Sequence, residues 1–263
     1  MLRNIKYGSR ELLSAKEIIA IGDIHGENKK LLDLLDKVKL YLNNKNLHLI
    51  FCGDYCDRGP ESIQVLETLI GLRNTYKKQV FFIRGNHEEM LISTLMGYTT
   101  WSYYTDITLK SMRDYWRMPK ASLNDLVEEC SKRGILSFLN ELIPYYESEY
   151  YICTHAPIKP EYCYNLDKYN NDFLKGANTY FLLEKMGSSL QWEFTSENPK
   201  NSKIKNMTKH IICGHQFKHH SRPRIMKHRS FIDVGCGAHP NKPLVAVKYP
   251  EKKVLQSFKR SKV

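Results

Sequence analysis

Apolar residues in this chain gather into short runs separated by polar segments. Runs of four to eight β-branched, aromatic or aliphatic residues are typical of buried β-strands. Such runs occupy residues 17–21, 47–52, 80–83, 150–153 and 210–213. Two more runs, at residues 244–249 and 253–255, flank Pro250 and predict a closing pair of strands.

The segments that follow the first strands have a helical period instead. Residues 28–42 carry leucines at helical spacing with lysines between them, which predicts an amphipathic helix. Residues 60–72 begin with Pro60, which favours the first turn of a helix, and keep apolar residues at the same spacing. Residues 88–145 show no glycine-bounded strand pattern and are predicted to be helical. The alternation indicates an α/β fold.

Polar residues follow the predicted strands directly. They comprise carboxylates, imidazoles and one carboxamide, namely Asp23, His25, Asp54, Asn86, His155 and His215. Open α/β sheets usually build their sites at the carboxyl ends of strands, so these side chains are expected to meet at one edge.

Mixed nitrogen and oxygen ligands of this kind suit divalent ions such as Mn, Fe or Zn. Six ligands are too many for one catalytic ion, which must keep an open position, but they suit two ions that share a carboxylate. Any single block could equally be a helix cap or a turn. Five blocks in register, each at a strand end, favour the functional interpretation.

These blocks resemble those of the calcineurin-like metallophosphoesterases, and in particular the compact bacterial and phage-type serine/threonine phosphatases of the phosphoprotein phosphatase family. The resemblance runs from about residue 18 to residue 247, and the pair Asp57-Arg58 together with residues 84–88 is its most specific part. It implies an α/β/β/α sandwich with two central mixed β-sheets flanked by helices. It also implies a single domain over residues 1–263 with a helical cap at about residues 88–145.

The resemblance assigns Asp23 and His25 to the first metal, and Asp54 to both metals as a bridging carboxylate. It assigns the remaining three residues to the second metal: Asn86, His155 and His215. The implied cofactor is a pair of divalent metal ions, with Mn favoured and Fe or Zn as alternatives.

Three further residues receive catalytic roles from the same resemblance. His87 is similar to the general acid of the family, Asp57 to the carboxylate that orients it, and Arg58 to a phosphate-binding arginine. The implied reaction is in-line attack by a hydroxide held between the metals. Compact members usually carry Trp-x-Arg between the last two histidine blocks, whereas here Trp192 is followed by Glu193 and Phe194. The second phosphate-binding cation is therefore left open.

Charge and cysteine content indicate which partners and which cellular compartment to expect. The formal net charge is +12, and residues 198–232 contain nine basic residues and no acidic one. This stretch flanks His215 and favours attraction of an anionic substrate, although a solvated face is the alternative. Nucleic acid is an unlikely partner because no recognition motif accompanies the basic residues. Seven cysteines without Cys-x-x-Cys spacing, no secretory signal and no long apolar run indicate a cytoplasmic protein without a membrane span.

The sequence thus predicts a metal-dependent phosphomonoesterase that acts on phosphoserine or phosphothreonine in proteins, or on another anionic phosphoester. Hydrolysis of a nucleotide anhydride such as diadenosine tetraphosphate is the alternative, because it would use the same metal ligands. A third hypothesis, a non-catalytic binder descended from such an enzyme, is disfavoured because every metal and acid position holds a competent residue.

Overall fold

The computed structural model describes residues 15–97, 103–158, 208–217 and 222–258. In these ranges the predicted apolar runs form strands, along with three short strands that the pattern did not predict. In chain order the strands are β1 (Glu17–Ile21), β2 (Leu47–Phe51), β3 (Val80–Phe82), β4 (Tyr145–Glu147), β5 (Tyr151–Thr154), β6 (His210–Cys213), β7 (Arg224–Ile225), β8 (Arg229–Phe231), β9 (Val245–Tyr249) and β10 (Lys253–Gln256).

The strands form two five-stranded mixed sheets. The first sheet has the order β10-β9-β1-β2-β3, in which β1, β2 and β3 are parallel and the closing pair is antiparallel. The second has the order β4-β5-β6-β8-β7, with β5, β6 and β8 parallel and an antiparallel strand at each edge. Two mixed sheets with flanking helices confirm the predicted fold class.

Six α-helices lie in the described ranges: α1 (Asn28–Val38), α2 (Ser62–Tyr76), α3 (Asn86–Leu95), α4 (Tyr103–Tyr115), α5 (Leu123–Lys132) and α6 (Ile135–Glu141). The first helix is shorter than predicted, because a 3₁₀ turn over Lys39–Tyr41 replaces its last turn. Four of the helices fall between β3 and β4, where the pattern predicted helices. The single-domain assignment stays a prediction.

The side chains of β1 divide the apolar core into two layers. Ile19 and Ile21 belong to the cluster that includes all six helices, whereas Ile18 and Ala20 belong to the cluster between the two sheets. This follows from the period of two along a strand. Because both faces are covered, the strand is nearly continuous in apolar residues. The packing holds the carboxyl ends of β1, β2, β5 and β6 near one another.

The described cysteines are buried and reduced. Cys52 and Cys153 lie in the layer between the sheets. None of the helices in the described ranges is both long and apolar enough to cross a bilayer.

Candidate metal centre and active site

Asp54, which follows β2, lies at the centre of the predicted constellation. Its Oδ2 is 3.4 Å from Nε2 of His25 and 3.9 Å from Nε2 of His87. Its Oδ1 is 3.3 Å from Nε2 of His155. A single carboxylate thus faces imidazoles from loops of both sheets.

Two groups of side chains place their ligand atoms within 4.8 Å of one another. The first consists of His25, Asp54 and His87, and the second of Asp54, His155 and His215. Only Asp54 belongs to both. Their nitrogen and carboxylate donors match the preference of borderline divalent ions, so the residues fit a pair of metals with one shared ligand.

Asn86 and Asp23 complete the predicted set. Oδ1 of Asn86 is 2.9 Å from Nε2 of His155, which itself is 3.1 Å from Nδ1 of His215. The carboxylate of Asp23 lies 4.0 Å from Nε2 of His25 and accepts the backbone N–H of His215 at 3.0 Å. All six predicted ligands are therefore brought together.

Backbone carbonyls orient two of the imidazoles. Nδ1 of His25 is 3.0 Å from the carbonyl oxygen of Cys56, and Nδ1 of His155 is 2.7 Å from that of Cys52. Because a carbonyl only accepts, Nδ1 must carry the proton in each ring. Nε2 of each ring then faces Asp54 and is the atom left to bind a metal.

Backbone strain is concentrated at this edge. Of the eight non-glycine residues with positive φ in the described ranges, five belong to the candidate site: His25, Asp54, Asp57, Arg58 and His215. Each such conformation costs about 1–3 kcal/mol and persists only where the surroundings impose it. The surrounding structure therefore holds these loops in unfavourable backbone conformations that place the side chains of the site.

Glu88 supplies much of that restraint, and the sequence analysis gave it no role. Its Oε2 accepts the N–H groups of Gly85 and Asp54, each at 2.9 Å, and its Oε1 accepts the N–H of Tyr55 at 2.7 Å. The side chain is fully buried. Its position three residues after the cap of α3 was a readable signal, because an acid there commonly turns back onto the backbone.

Close packing against Asp54 gives a test of this loop. A methyl group on Gly85 would meet both Oδ1 and the backbone nitrogen of Asp54. We expect Gly85→Ala to lower the free energy of unfolding by about 1–3 kcal/mol, the usual cost of overpacking. Chemical denaturation measures this value.

Gly71, inside α2, is the matched control. A methyl group there has no neighbour within 4 Å in the described structure. Gly71→Ala should raise the free energy of unfolding by about 0.5–1 kcal/mol, because alanine loses less backbone entropy in a helix. If both variants shifted stability in the same direction, the tight contact at Gly85 would be refuted.

His87 and Asp57 form a buried pair beside the ligand groups. Nδ1 of His87 is 2.7 Å from Oδ2 of Asp57, the carboxylate to which the family resemblance assigns the orienting role. Burial lowers the pKa of His87, but the nearby carboxylates of Asp54 and Asp57 outweigh it, and the net pKa is raised. The environment therefore favours the protonated ring, as a proton donor requires.

Arg58 directly follows Asp57 in the chain. It is half-buried, and its guanidinium carbon is 5.8 Å from the ring centroid of Phe217. A planar guanidinium held in this way matches two oxygens of a phosphoryl group.

Asp233 is a second residue that the sequence analysis did not assign. It is buried two residues after β8 and accepts the N–H of Gly235 at 2.7 Å. Burial raises the pKa of Asp233 to about 6, and the charge of Asp54 acts in the same direction. Its place just past a strand end, like that of Asp23 and Asp54, could have identified it.

The predicted basic stretch is only partly described, and segment 191–194 lies outside the described residues. Nζ of Lys209 pairs with Oε1 of Glu147 at 2.6 Å, and Arg229 is buried and donates to the carbonyl oxygen of Ile158. Lys209 is thus neutralised by a carboxylate from another strand, and Arg229 is removed from the surface by burial, so neither is a free surface charge. Two of the described cations are exposed: Arg222 and Lys227.

Comparison with known proteins decides the family. A family model described as calcineurin-like phosphoesterase matches residues 16–239. The chain belongs to this family. The calcineurin-like phosphoesterase fold accounts for the paired mixed sheets and for the placement of the site at their carboxyl ends.

Among relatives of this calcineurin-like phosphoesterase is the serine/threonine-protein phosphatase PP2A-like PPG1 of Candida albicans. It is 34% identical over 116 residues, which cover 37% of this chain and 27% of the relative. The chain spans between 27% and 36% of the length of three curated relatives that it matches.

Two solved structures share the fold. A cold-active protein tyrosine phosphatase has a TM-score of 0.64 at 19% identity, over 96% of this chain and 82% of its own. A structure described as "a putative diadenosine tetraphosphatase" has a TM-score of 0.56 at 16% identity, over 94% of this chain and 96% of its own. At these identities the likeness concerns the fold alone.

Proposed function

We propose that this calcineurin-like phosphoesterase is a metal-dependent phosphomonoesterase that acts on phosphoserine or phosphothreonine in proteins. The observation that carries the proposal is Asp54, which is shared by two groups of potential metal ligands and lies beside the His87–Asp57 pair. The named activity of the Candida albicans relative supports the protein substrate.

In this proposal Asp23, His25 and Asp54 hold one metal. The other is held by Asp54 together with Asn86, His155 and His215. When bound, such a metal pair lowers the pKa of water and neutralises charge on a phosphoryl group. Manganese is the favoured ion because the donor set is rich in oxygen and imidazole without thiolate, with iron or zinc as alternatives.

The remaining residues act on the substrate and its leaving group. Arg58 binds phosphoryl oxygens. His87, with its ring held by Asp57 at 2.7 Å, gives a proton to the departing alkoxide of serine or threonine. His87 also belongs to the first group of potential ligands, so its role as an acid rather than a ligand needs a direct test.

Hydrolysis of a dinucleotide anhydride such as diadenosine tetraphosphate is the alternative. A solved structure described with that activity shares the fold over 94% of this chain, so the fold is compatible with both reactions. The same metal ligands would serve both reactions, so substrate preference must decide between them.

Parallel assays of the Mn-loaded protein test the proposal. We expect hydrolysis of a phosphoserine peptide with a kcat/KM at least about tenfold above that for diadenosine tetraphosphate; tenfold corresponds to about 1.4 kcal/mol of transition-state stabilisation. Chelator treatment should abolish activity, and Mn should restore it. A preference for the dinucleotide would establish the alternative, and no activity on either would refute the proposed function.

The proposal also covers the cellular location of the protein and its partners. The buried, reduced cysteines support a cytoplasmic setting, where disulfides are rare. The proposed partner is a phosphorylated protein, with other anionic phosphoesters as alternatives.

A further inference from the structure

Thr108 of helix α4 contacts the candidate active site. Its Oγ1 donates a hydrogen bond to Oδ1 of Asp57 and lies 3.0 Å from the backbone nitrogen of the same residue. It is also 3.2 Å from Oγ of Ser62, at the start of α2. Thr108 and Asp57 are both fully buried.

The protons in this cluster can be assigned. The carboxylate of Asp57 only accepts, so the single hydroxyl proton of Thr108 must point to Oδ1. The N–H of Asp57 lies 3.0 Å from both Oγ1 of Thr108 and Oγ of Ser62, so the two hydroxyl oxygens share this donor. Because the proton of Thr108 is used on Asp57, any hydrogen bond between the two hydroxyls must be donated by Ser62. Oδ2 of Asp57 is left for Nδ1 of His87 at 2.7 Å. One hydroxyl thus restrains the backbone and the side chain of Asp57 together.

Asp57 needs such restraint. Its φ of 68° is unfavourable for a residue other than glycine, so its loop would relax without external contacts. Hydrogen bonds to a charged acceptor away from water are among the stronger ones that a protein makes. A carboxylate that kept only one of its two partners could rotate and carry the imidazole with it.

We propose that Thr108 is a positioning residue that acts through Asp57 to orient the ring of His87. The inference rests on the proposed function, in which His87 is the proton donor. The proposal adds a third residue to the Asp57–His87 pair, so that hydrogen bonds run from Thr108 through Asp57 to His87. Helix α4, which is not one of the strand-end loops, would then influence how His87 protonates the leaving group.

The same helix offers a matched control. Thr105 lies one turn before Thr108 and is also fully buried, and its hydroxyl has no hydrogen-bond partner among the described residues. Thr105→Val and Thr108→Val make the same chemical change on the same helix. They differ in whether a bond to Asp57 is lost.

The test measures turnover of a phosphoserine peptide, whose alkoxide needs a proton, and of p-nitrophenyl phosphate, whose phenolate does not. Thr108→Val should lower kcat for the peptide by about 10–100-fold, the equivalent of losing one hydrogen bond to a charged group. Loss on p-nitrophenyl phosphate should be less than about threefold. Thr105→Val should match the parent on both substrates, and metal content should be unchanged in both variants.

Two further variants separate positioning from general stability. Thr108→Ser and Thr108→Ala both lack the methyl group, but only serine keeps the hydroxyl, so serine should retain most peptide turnover and alanine should not. Comparing the serine and alanine variants tests the role of the hydroxyl even if Thr108→Val does not fold. Adding Thr108→Ala to His87→Asn should cause little additional loss, because residues that act through one group are not additive.

Several outcomes would overturn the inference. They are equal turnover by the serine and alanine variants, equal losses on the two substrates, or losses that multiply in the double variant. If His87→Asn alone left peptide turnover intact, the proposed proton donor would fail instead, which is a distinguishable result.

Discussion

Asp54→Asn should cause the largest loss of any single substitution at this site. Both proposed metal positions share this carboxylate, and the replacement keeps its shape while it removes its charge. Because a metal pair contributes several kcal/mol to phosphoryl transfer, we expect turnover to fall by at least about 10³-fold. Metal analysis after dialysis should show fewer bound metal ions per chain in the variant than in the parent protein, because both positions lose a ligand.

The fold should survive this change. Oδ1 of Asp54 accepts the backbone N–H of His87 at 3.1 Å, and the amide oxygen of asparagine can accept the same hydrogen bond. Asp36→Asn, at an exposed position on α1 that pairs only with Lys39 in the described structure, is the control and should behave like the parent. If Asp54→Asn kept both metals and full turnover, Asp54 would not be the shared ligand.

His87→Asn should produce a loss that depends on the leaving group. General acid catalysis contributes about 10²–10⁴-fold, so turnover of a phosphoserine peptide should fall by that factor. The loss should be much smaller for p-nitrophenyl phosphate, because its phenolate departs with little help. Comparing kcat for the two substrates measures the effect.

Metal content distinguishes the two roles open to His87. A proton donor can be replaced without loss of metal, whereas a ligand cannot. Asp57→Asn, which disturbs the partner at 2.7 Å, should show the same leaving-group dependence with a smaller loss. Equal losses on both substrates, accompanied by loss of metal, would assign His87 to the metal centre instead.

Most of the candidate site could be read from the sequence because its residues directly follow buried strands. A strand fixes where its last residue points, and parallel strands bring those ends to one edge. Asp23, Asp54 and His155 were predicted in this way. Asp54 and His155 share one group of potential ligands, and Asp23 lies 4.0 Å from His25 of the other group. The His87–Asp57 pair came from the family resemblance, and its hydrogen bond is present.

What the sequence did not reveal depends on contacts between distant segments. Thr108 reaches Asp57 across 51 residues, and nothing in the local pattern of α4 marks one buried threonine as different from another. Arg229 looked like a surface cation, yet β8 buries it against Ile158. Such partners follow from tertiary packing, which overrides local composition.

The bond between His155 and the carbonyl oxygen of Cys52 has a consequence for folding. It joins the loop after β5 to the end of β2, and so connects two sheets that are far apart along the chain. The second proposed metal takes Asp54 and Asn86 from segments that follow strands of the first sheet. It takes His155 and His215 from segments that follow strands of the second, so this position can assemble only after the sheets have docked. Metal affinity would then report on sheet docking, and saturating metal should slow the opening of the sandwich as well as stabilise the native state.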